Sequence, residues 1–182
     1  MSSYLSEHPN EVVILDCQHF YAFTDDTHAT LIGMLKNAFN TTLLPYAGSL
    51  SSWSLSSLND NNYQVILIYR ESVQTSETFL WPSSSYPTPW YNTMNSTYLL
   101  SSLDTGLSTR SNSNGYISQC VLTPGVNDIL TNLLSTLKQK CAVDFESSRT
   151  AWILEQEPGA NGVNVIIGDF VDLSDDVFIM LM

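Results

Sequence analysis

Basic residues are scarce: six Lys and Arg stand against eighteen Asp and Glu, a formal charge of −12. A surface of that sign is a poor partner for nucleic acid, because gripping a phosphate backbone depends on Lys and Arg displacing counterions. Non-specific adhesion to anionic membrane is disfavoured for the same reason. A single anionic ligand is still compatible, since one well-placed Arg outweighs a distant diffuse field. Cysteines are few as well: Cys17, Cys120 and Cys141 are widely spaced and odd in number. They form no CxxC pair for zinc or redox work, and the simplest reading is buried free thiols. No apolar run reaches the length of a membrane span, and no basic region followed by an apolar stretch opens the chain. Neither a transmembrane helix nor a signal peptide is visible, which favours the cytoplasm without fixing the compartment. P-loop, GxGxxG, GxSxG, HExxH and EF-hand patterns are all missing, and no metal ligand set stands out.

What is present is a soluble-type composition, 43% apolar over 182 residues, enough for one domain with a core. Residues 1–182 read as a single, partial domain. The organising stretch is Glu11 to Tyr21. Val12-Val13-Ile14-Leu15 is a run of four branched apolar residues, expected to be a strand buried on both faces of a parallel sheet. It ends in Asp16 and His19. The same design recurs where Val163-Asn164-Val165-Ile166-Ile167 runs into Asp169. Two more runs, Gln64 to Tyr69 and Tyr116 to Leu122, complete four strands, spaced roughly one per fifty residues with helical material after each. Met1 to His8 reads as the last turns of a helix, which suggests that something precedes it. Asp26 is the expected cap of a helix over Thr27 to Phe39, and Pro45 to Asn62 a connection. Phe79 to Asn92, with its prolines, is expected to be an irregular aromatic loop. A short helix is expected around Tyr98 to Leu107. The clearest helix should run from Thr123-Pro124-Gly125 to Lys140, with Ile129, Leu130, Leu133, Leu134 and Leu137 as its stripe. Trp152-Ile153-Leu154 reads as a brief helix or turn, and Ser174 to Leu181 as a closing helix. Four βα units fit either a small doubly wound sheet or half of an eight-stranded barrel.

In either architecture chemistry collects at the carboxyl ends of the strands. Asp16 and His19 are there, as a pocket acid or base, or else as a capping Asp and a surface His. Asp169 follows an apolar run and one Gly, a setting for a carboxylate held against a low-dielectric wall to orient a histidine. Asp172 or Asp175 is better placed to cap the last helix. Arg70 ends the second strand and suits a phosphate or vicinal hydroxyls, or a surface acid such as Glu71. Trp81 and Trp90 suit stacking on a sugar-like ring, a membrane interface, or packing on their own fold.

Taken together, several blocks resemble the phosphatidylinositol-specific phospholipase C X-domain-containing family. They are Glu7-His8-Pro9-Asn10-Glu11 running into Val12 to Asp16 with His19-Phe20-Tyr21, and Phe79-Leu80-Trp81-Pro82 with Pro89-Trp90-Tyr91-Asn92-Thr93. Gln119 with Leu122-Thr123-Pro124, and Trp152-Ile153 with Gln156-Glu157-Pro158-Gly159 through Asp169-Phe170-Val171-Asp172, follow in the same order. The resemblance covers almost the whole chain. It implies a TIM-barrel-like α/β phosphodiesterase fold, of which this chain is the C-terminal half. It implies a phosphoric diester hydrolase acting on an inositol phospholipid: the inositol 2-hydroxyl attacks phosphorus and releases diacylglycerol. Two histidines serve as base and acid, and an arginine stabilises the phosphoryl oxygens. By resemblance Asp169 is the carboxylate that orients the base, Arg70 contacts inositol, and Asp16 and His19 occupy charged pocket positions. Gln119 and Trp81 fall in matched blocks and join the substrate-binding candidates.

The family's catalytic histidines precede the Glu-His-Pro block with which this chain begins, and His8, His19 and His28 do not fit their motifs. No cofactor is expected, and calcium, used by some eukaryotic relatives, is not assignable to this chain. The expected partners are an inositol phospholipid or similar phosphodiester and at most a transient membrane surface. The N-terminal half of the barrel, or a second copy meeting exposed strand edges, is the expected protein partner. The competing class is a non-catalytic half-barrel that binds a lipid headgroup or a partner's strand edge.

Overall fold

The computed structural model describes residues 1–72 and 77–171. The chain divides into two compact units, Met1–Tyr86 and Pro87–Met182. The expected closing helix over Ser174 to Leu181, and the caps assigned to Asp172 and Asp175, lie outside the described residues.

The first unit runs α1 (Ser2–Glu7), β1 (Val13–Cys17), α2 (Asp25–Phe39), α3 (Leu55–Asp60), β2 (Val65–Tyr69) and β3 (Leu80–Trp81). β1 and β2 are parallel, with Val13 opposite Val65 and Cys17 opposite Tyr69. β3 joins the other edge of β2, also parallel, with Leu67 opposite Leu80 and Ile68 opposite Trp81. β2 is therefore central, and all five of its residues are buried. Each large aliphatic side chain buried in this way contributes about 2 kcal/mol.

β1 departs from expectation. Among the described residues it pairs only with β2, and Ile14 is 41% exposed. Its alternate residues, Val13, Leu15 and Cys17, pack with Val65, Leu67, Tyr69, Leu5 of α1 and Ile32 of α2. The run that reads as buried on both faces is thus an edge strand with one helix-covered face.

Local chemistry sets the element ends. Thr24, not Asp26, caps α2: its backbone N–H donates to Thr27 Oγ1 at 2.6 Å and its own Oγ1 accepts from Thr27 N. The same Ser54/Ser57 reciprocity starts α3 inside what reads as a connection. Buried Gln64 ties α1 to the sheet, its amide Nε2 donating to the carbonyls of Leu5, His8 and Glu11. β3 forms where an irregular loop is expected, because Leu80 and Trp81 complete two ladder positions before Pro82, which has no N–H to continue them.

The second unit holds α4 (Ser96–Thr109), β4 (Ile117–Gln119), α5 (Val126–Thr131), α6 (Glu146–Leu154) and β5 (Val165–Ile167). β4 and β5 pair in parallel, Ile117 opposite Val165 and Gln119 opposite Ile167. The structure is thus α/β with parallel strands, in a three-stranded and a two-stranded sheet. Asn95 caps α4 by accepting from Tyr98 N at 2.9 Å. Leu99, Leu103, Cys120, Leu122, Phe145, Trp152 and Val163 form the core. Trp152 completes it by donating its indole N–H to Asp104 at 2.7 Å.

The expected long helix after β4 is short. It stops at Thr131, because Asn132 turns its amide back onto the Asp128 carbonyl at 2.8 Å and so offers the backbone a non-helical alternative. Leu133, Leu134 and Leu137 are consequently exposed, Leu134 completely.

Arg110, at the end of α4, gathers the loop before β5. Its guanidinium donates to the carbonyls of Asn114, Gly159, Ala160 and Gly162 and to Asn164 Oδ1, at 2.6–3.2 Å. The loop is so tight that a Cβ at Gly162 would fall on the Glu157 carbonyl. Gly162→Ala should therefore lower stability by about 2 kcal/mol through overpacking against backbone. Urea denaturation checks this, and an unchanged midpoint would refute the packing account.

Candidate functional site

In the first unit Asp16 and Arg70 meet. Register sets this up. Asp16 is the fourth residue of β1 and lies opposite Ile68, and Arg70 follows the last residue of β2. In both strands the residues that alternate with these, Cys17 and Tyr69, point to the helices. Asp16 and Arg70 therefore share the face turned away from them. Arg70 Nε donates to Asp16 Oδ1 at 2.6 Å and Nη2 to Oδ2 at 2.8 Å, a two-pronged pair with side chains only 17% and 15% exposed. The second Nη2 hydrogen goes to the Tyr86 carbonyl at 2.7 Å, and Gln18 Nε2 donates to Asp16 Oδ2 at 2.6 Å.

Among the described residues Nη1 of Arg70 carries no bond, so two N–H groups are left for a ligand. A polar cavity of about 210 Å³, lined by Tyr69, Arg70, Glu71, Ser72 and Ser83, adjoins them. Behind the pair, burial and then the Asp16 charge push the Cys17 thiol up from its ordinary range. Burial and the neighbouring Cys17 and Glu71 do the same to the Tyr69 phenol.

His19 is not part of this pair. It is exposed, has a left-handed backbone (φ 56°), and stacks on Tyr21 with ring centroids 6.0 Å apart. Trp81 is not a loop platform. It is fully buried in β3, donates to the Leu44 carbonyl at 2.9 Å and meets Tyr46 edge-on, so neither ring face is open to a ligand. The other two histidines are engaged elsewhere. His8 stacks on Tyr4, and buried His28 shares a 2.7 Å hydrogen bond with the Tyr69 hydroxyl among Phe20 and Phe23.

In the second unit Gln119 ends β4 and Asp169 lies two residues past β5. Cys120 and Ile166 pack toward the helices, so Gln119 and its partner Ile167 point the other way. Gln119 Nε2 donates to Thr88, both to its carbonyl and to its hydroxyl, at 3.0 and 2.8 Å. Asp169 is exposed, not set against the apolar wall that its sequence context suggests. Trp90 is 59% exposed and donates its indole N–H to Thr123 Oγ1 at 2.8 Å.

The residue that sequence reasoning misses is Arg149. It is 1% exposed on α6, and its Nη1 donates to the Asp169 carbonyl at 2.7 Å. The signal was available: Phe145, Arg149 and Trp152 fall at i, i+4 and i+7, so the cation sits within a core stripe. Among the described residues no group of three or more His, Cys, Asp or Glu could hold a metal, and no helix is long and apolar enough to cross a membrane.

Comparison with known proteins gives one consistent result. The chain is 38% identical to PI-PLC X domain-containing protein 2 of Mus musculus over 176 residues, 96% of the chain and 52% of that relative. It is 34% identical to PI-PLC X domain-containing protein 3 of the same species, over 96% of the chain and 54% of the relative. Against PI-PLC X domain-containing protein 1 of Homo sapiens the identity is 31%, over 94% and 52%. The chain thus spans about half the length of the curated relatives it matches. No family model and no solved structure matches it.

Proposed function

We propose that this chain, a homologue of the PI-PLC X domain-containing proteins over nearly its whole length, supplies headgroup-binding residues of a phosphoric diester hydrolase of the phosphatidylinositol-specific phospholipase C type. The observation that carries the reading is the Asp16–Arg70 pair, held with two guanidinium N–H groups uncommitted among the described residues. A planar fork with one arm anchored and one arm free suits a phosphoryl oxygen or a pair of vicinal hydroxyls. Gln119, which ends β4, and Asp169, two residues past β5, are candidates for polar contacts within the second unit taken by itself. In the reaction the inositol 2-hydroxyl forms a bond to phosphorus as the bond to the diacylglycerol oxygen breaks. The 2-hydroxyl proton passes to a base and an acid protonates the leaving oxygen.

Titrating the chain with myo-inositol 1-phosphate tests the binding role. Amide and guanidinium signals of Arg70 and Asp16 should move together. Shifts confined to other residues, or none at millimolar ligand, would sink the reading.

Action at a lipid surface has its own support. Val126, Ile129, Leu130, Leu133, Leu134 and Leu137 are all at least 46% exposed, and Lys138 and Lys140 follow directly. Those ammonium groups are engaged within the chain, Lys138 over the Phe170 ring and Lys140 with Asp144 at 2.8 Å, so the support comes from the apolar side chains, which suit shallow insertion at headgroup level. Replacing Leu133, Leu134 and Leu137 together by Ser should weaken partition onto vesicles of phosphatidylcholine and phosphatidylinositol by about tenfold per inserted leucine. Flotation reads this, and equal partition of variant and wild type would refute the insertion.

A further inference from the structure

The carboxyl end of β5 carries a constraint that the headgroup reading does not use. Arg149 lies almost wholly buried behind it. Besides the bond from Nη1 to the Asp169 carbonyl, its Nε and Nη2 are buried without a partner among the described residues. Among the described residues no carboxylate pairs with it, and a buried guanidinium without one is a poor source of stability, because its desolvation is not repaid. Its position therefore calls for another explanation, and its surroundings supply one.

Gly168 rests against the guanidinium: a Cβ there would lie 3.4 Å from Nη1 and 3.5 Å from Val171. Two residues later Phe170 has φ 49°, a left-handed backbone that is strained for a non-glycine residue. The ring of that same Phe170 takes the Lys138 ammonium over its face, 5.0 Å from the centroid. The turn is thus held on one flank by Arg149 of α6 and on the other by Lys138. Strained backbone persists only where its surroundings over-determine it, and this turn is over-determined.

We infer that Arg149 is a positioning residue: by fixing the Asp169 carbonyl beneath Gly168, it holds the strained Gly168–Phe170 turn that presents the Asp169 carboxylate. The inference rests on the headgroup reading only for what Asp169 does once presented. The turn itself is open to test without substrate.

The test is nuclear magnetic resonance on the whole chain, reading the Phe170 backbone angle from scalar couplings and the ring-current shift of the Lys138 side-chain methylenes. In Arg149→Met, Phe170 should leave the left-handed region and the Lys138 shift should collapse, while β4 and β5 amides keep their dispersion. Arg149→Lys, which retains a donor, should preserve the shift. An unchanged Phe170 and Lys138 in Arg149→Met overturns the inference. Should that variant fail to fold, Arg149→Gln decides, because it keeps a polar side chain at the site but is too short to keep the Nη1 bond to the Asp169 carbonyl. Loss of the Lys138 shift there supports the role, and retention overturns it. Failure of the headgroup reading looks different: myo-inositol 1-phosphate then leaves the wild-type signals unmoved, with the turn still dependent on Arg149.

Discussion

Incubated with phosphatidylinositol vesicles, this chain alone should release no inositol phosphate above the rate in buffer. Attack by the 2-hydroxyl needs a base that takes its proton and an acid that serves the leaving alcohol. Loss of one such group typically costs about a hundred- to ten-thousand-fold. The chain has three histidines, and none forms a hydrogen bond to Asp16, Arg70 or Asp169. His8 bonds to the Tyr4 carbonyl, His28 bonds to Tyr69 inside an aromatic cluster, and His19 stacks on Tyr21 in solvent. With neither proton-transfer group in place the deficits compound. Release of labelled inositol phosphate measures this directly, and turnover by the chain alone that disappears in His19→Ala would contradict it.

Arg70→Ala should have the largest effect of any single substitution on the first unit. It removes the bidentate partner of an Asp16 carboxylate that is only 15% exposed, and it leaves the Tyr86 carbonyl without its 2.7 Å donor. Breaking a largely buried pair by deleting one member costs roughly 3–5 kcal/mol, most of it from the charge left behind. Binding of myo-inositol 1-phosphate should fall by about a hundredfold with the loss of a charge-assisted donor fork. Arg70→Lys should recover part of the stability and little of the binding, since an ammonium cannot hold Asp16 on one side and a ligand on the other in fixed geometry. Urea denaturation and calorimetric titration separate the two effects. A wild-type affinity in Arg70→Ala, at a concentration where the variant is folded, would remove Arg70 from the site.

The parts of the fold legible in the sequence are those in which burial is uniform. β2 reads plainly because every one of its residues is buried, and α2 reads from the helical spacing of Leu31, Ile32, Leu35 and Phe39. β1 opens on the same Val-Ile-Leu run as β2, yet it is an edge strand, because pairing is a tertiary fact that such a run does not encode. The short strand β3 is hidden by its proline-rich context: two ladder positions are too few to leave a periodic signal. The leucine stripe after β4 misleads because Asn132 diverts the helix within one turn.

At the site, the types Asp16 and Arg70 were legible as strand-end charges, but their pairing depends on the parallel register that brings residues 54 apart in sequence to 2.6 Å. Trp81 illustrates the opposite failure. An indole among prolines reads as a platform, and the core takes it instead, because its N–H finds the Leu44 carbonyl and its rings find Tyr46. Arg149 was passed over because a cation in a core stripe is rare enough to be read as surface.

The most direct test of the headgroup-binding role supplies the part of a relative that this chain does not span. The chain should be mixed with the part of mouse PI-PLC X domain-containing protein 2 that it does not span, and release of cyclic inositol phosphate from phosphatidylinositol followed. Turnover that requires both parts, and that drops in Arg70→Ala, is the expected result. Turnover by the mouse part alone, unaffected by adding this chain or its Arg70→Ala variant, would contradict it.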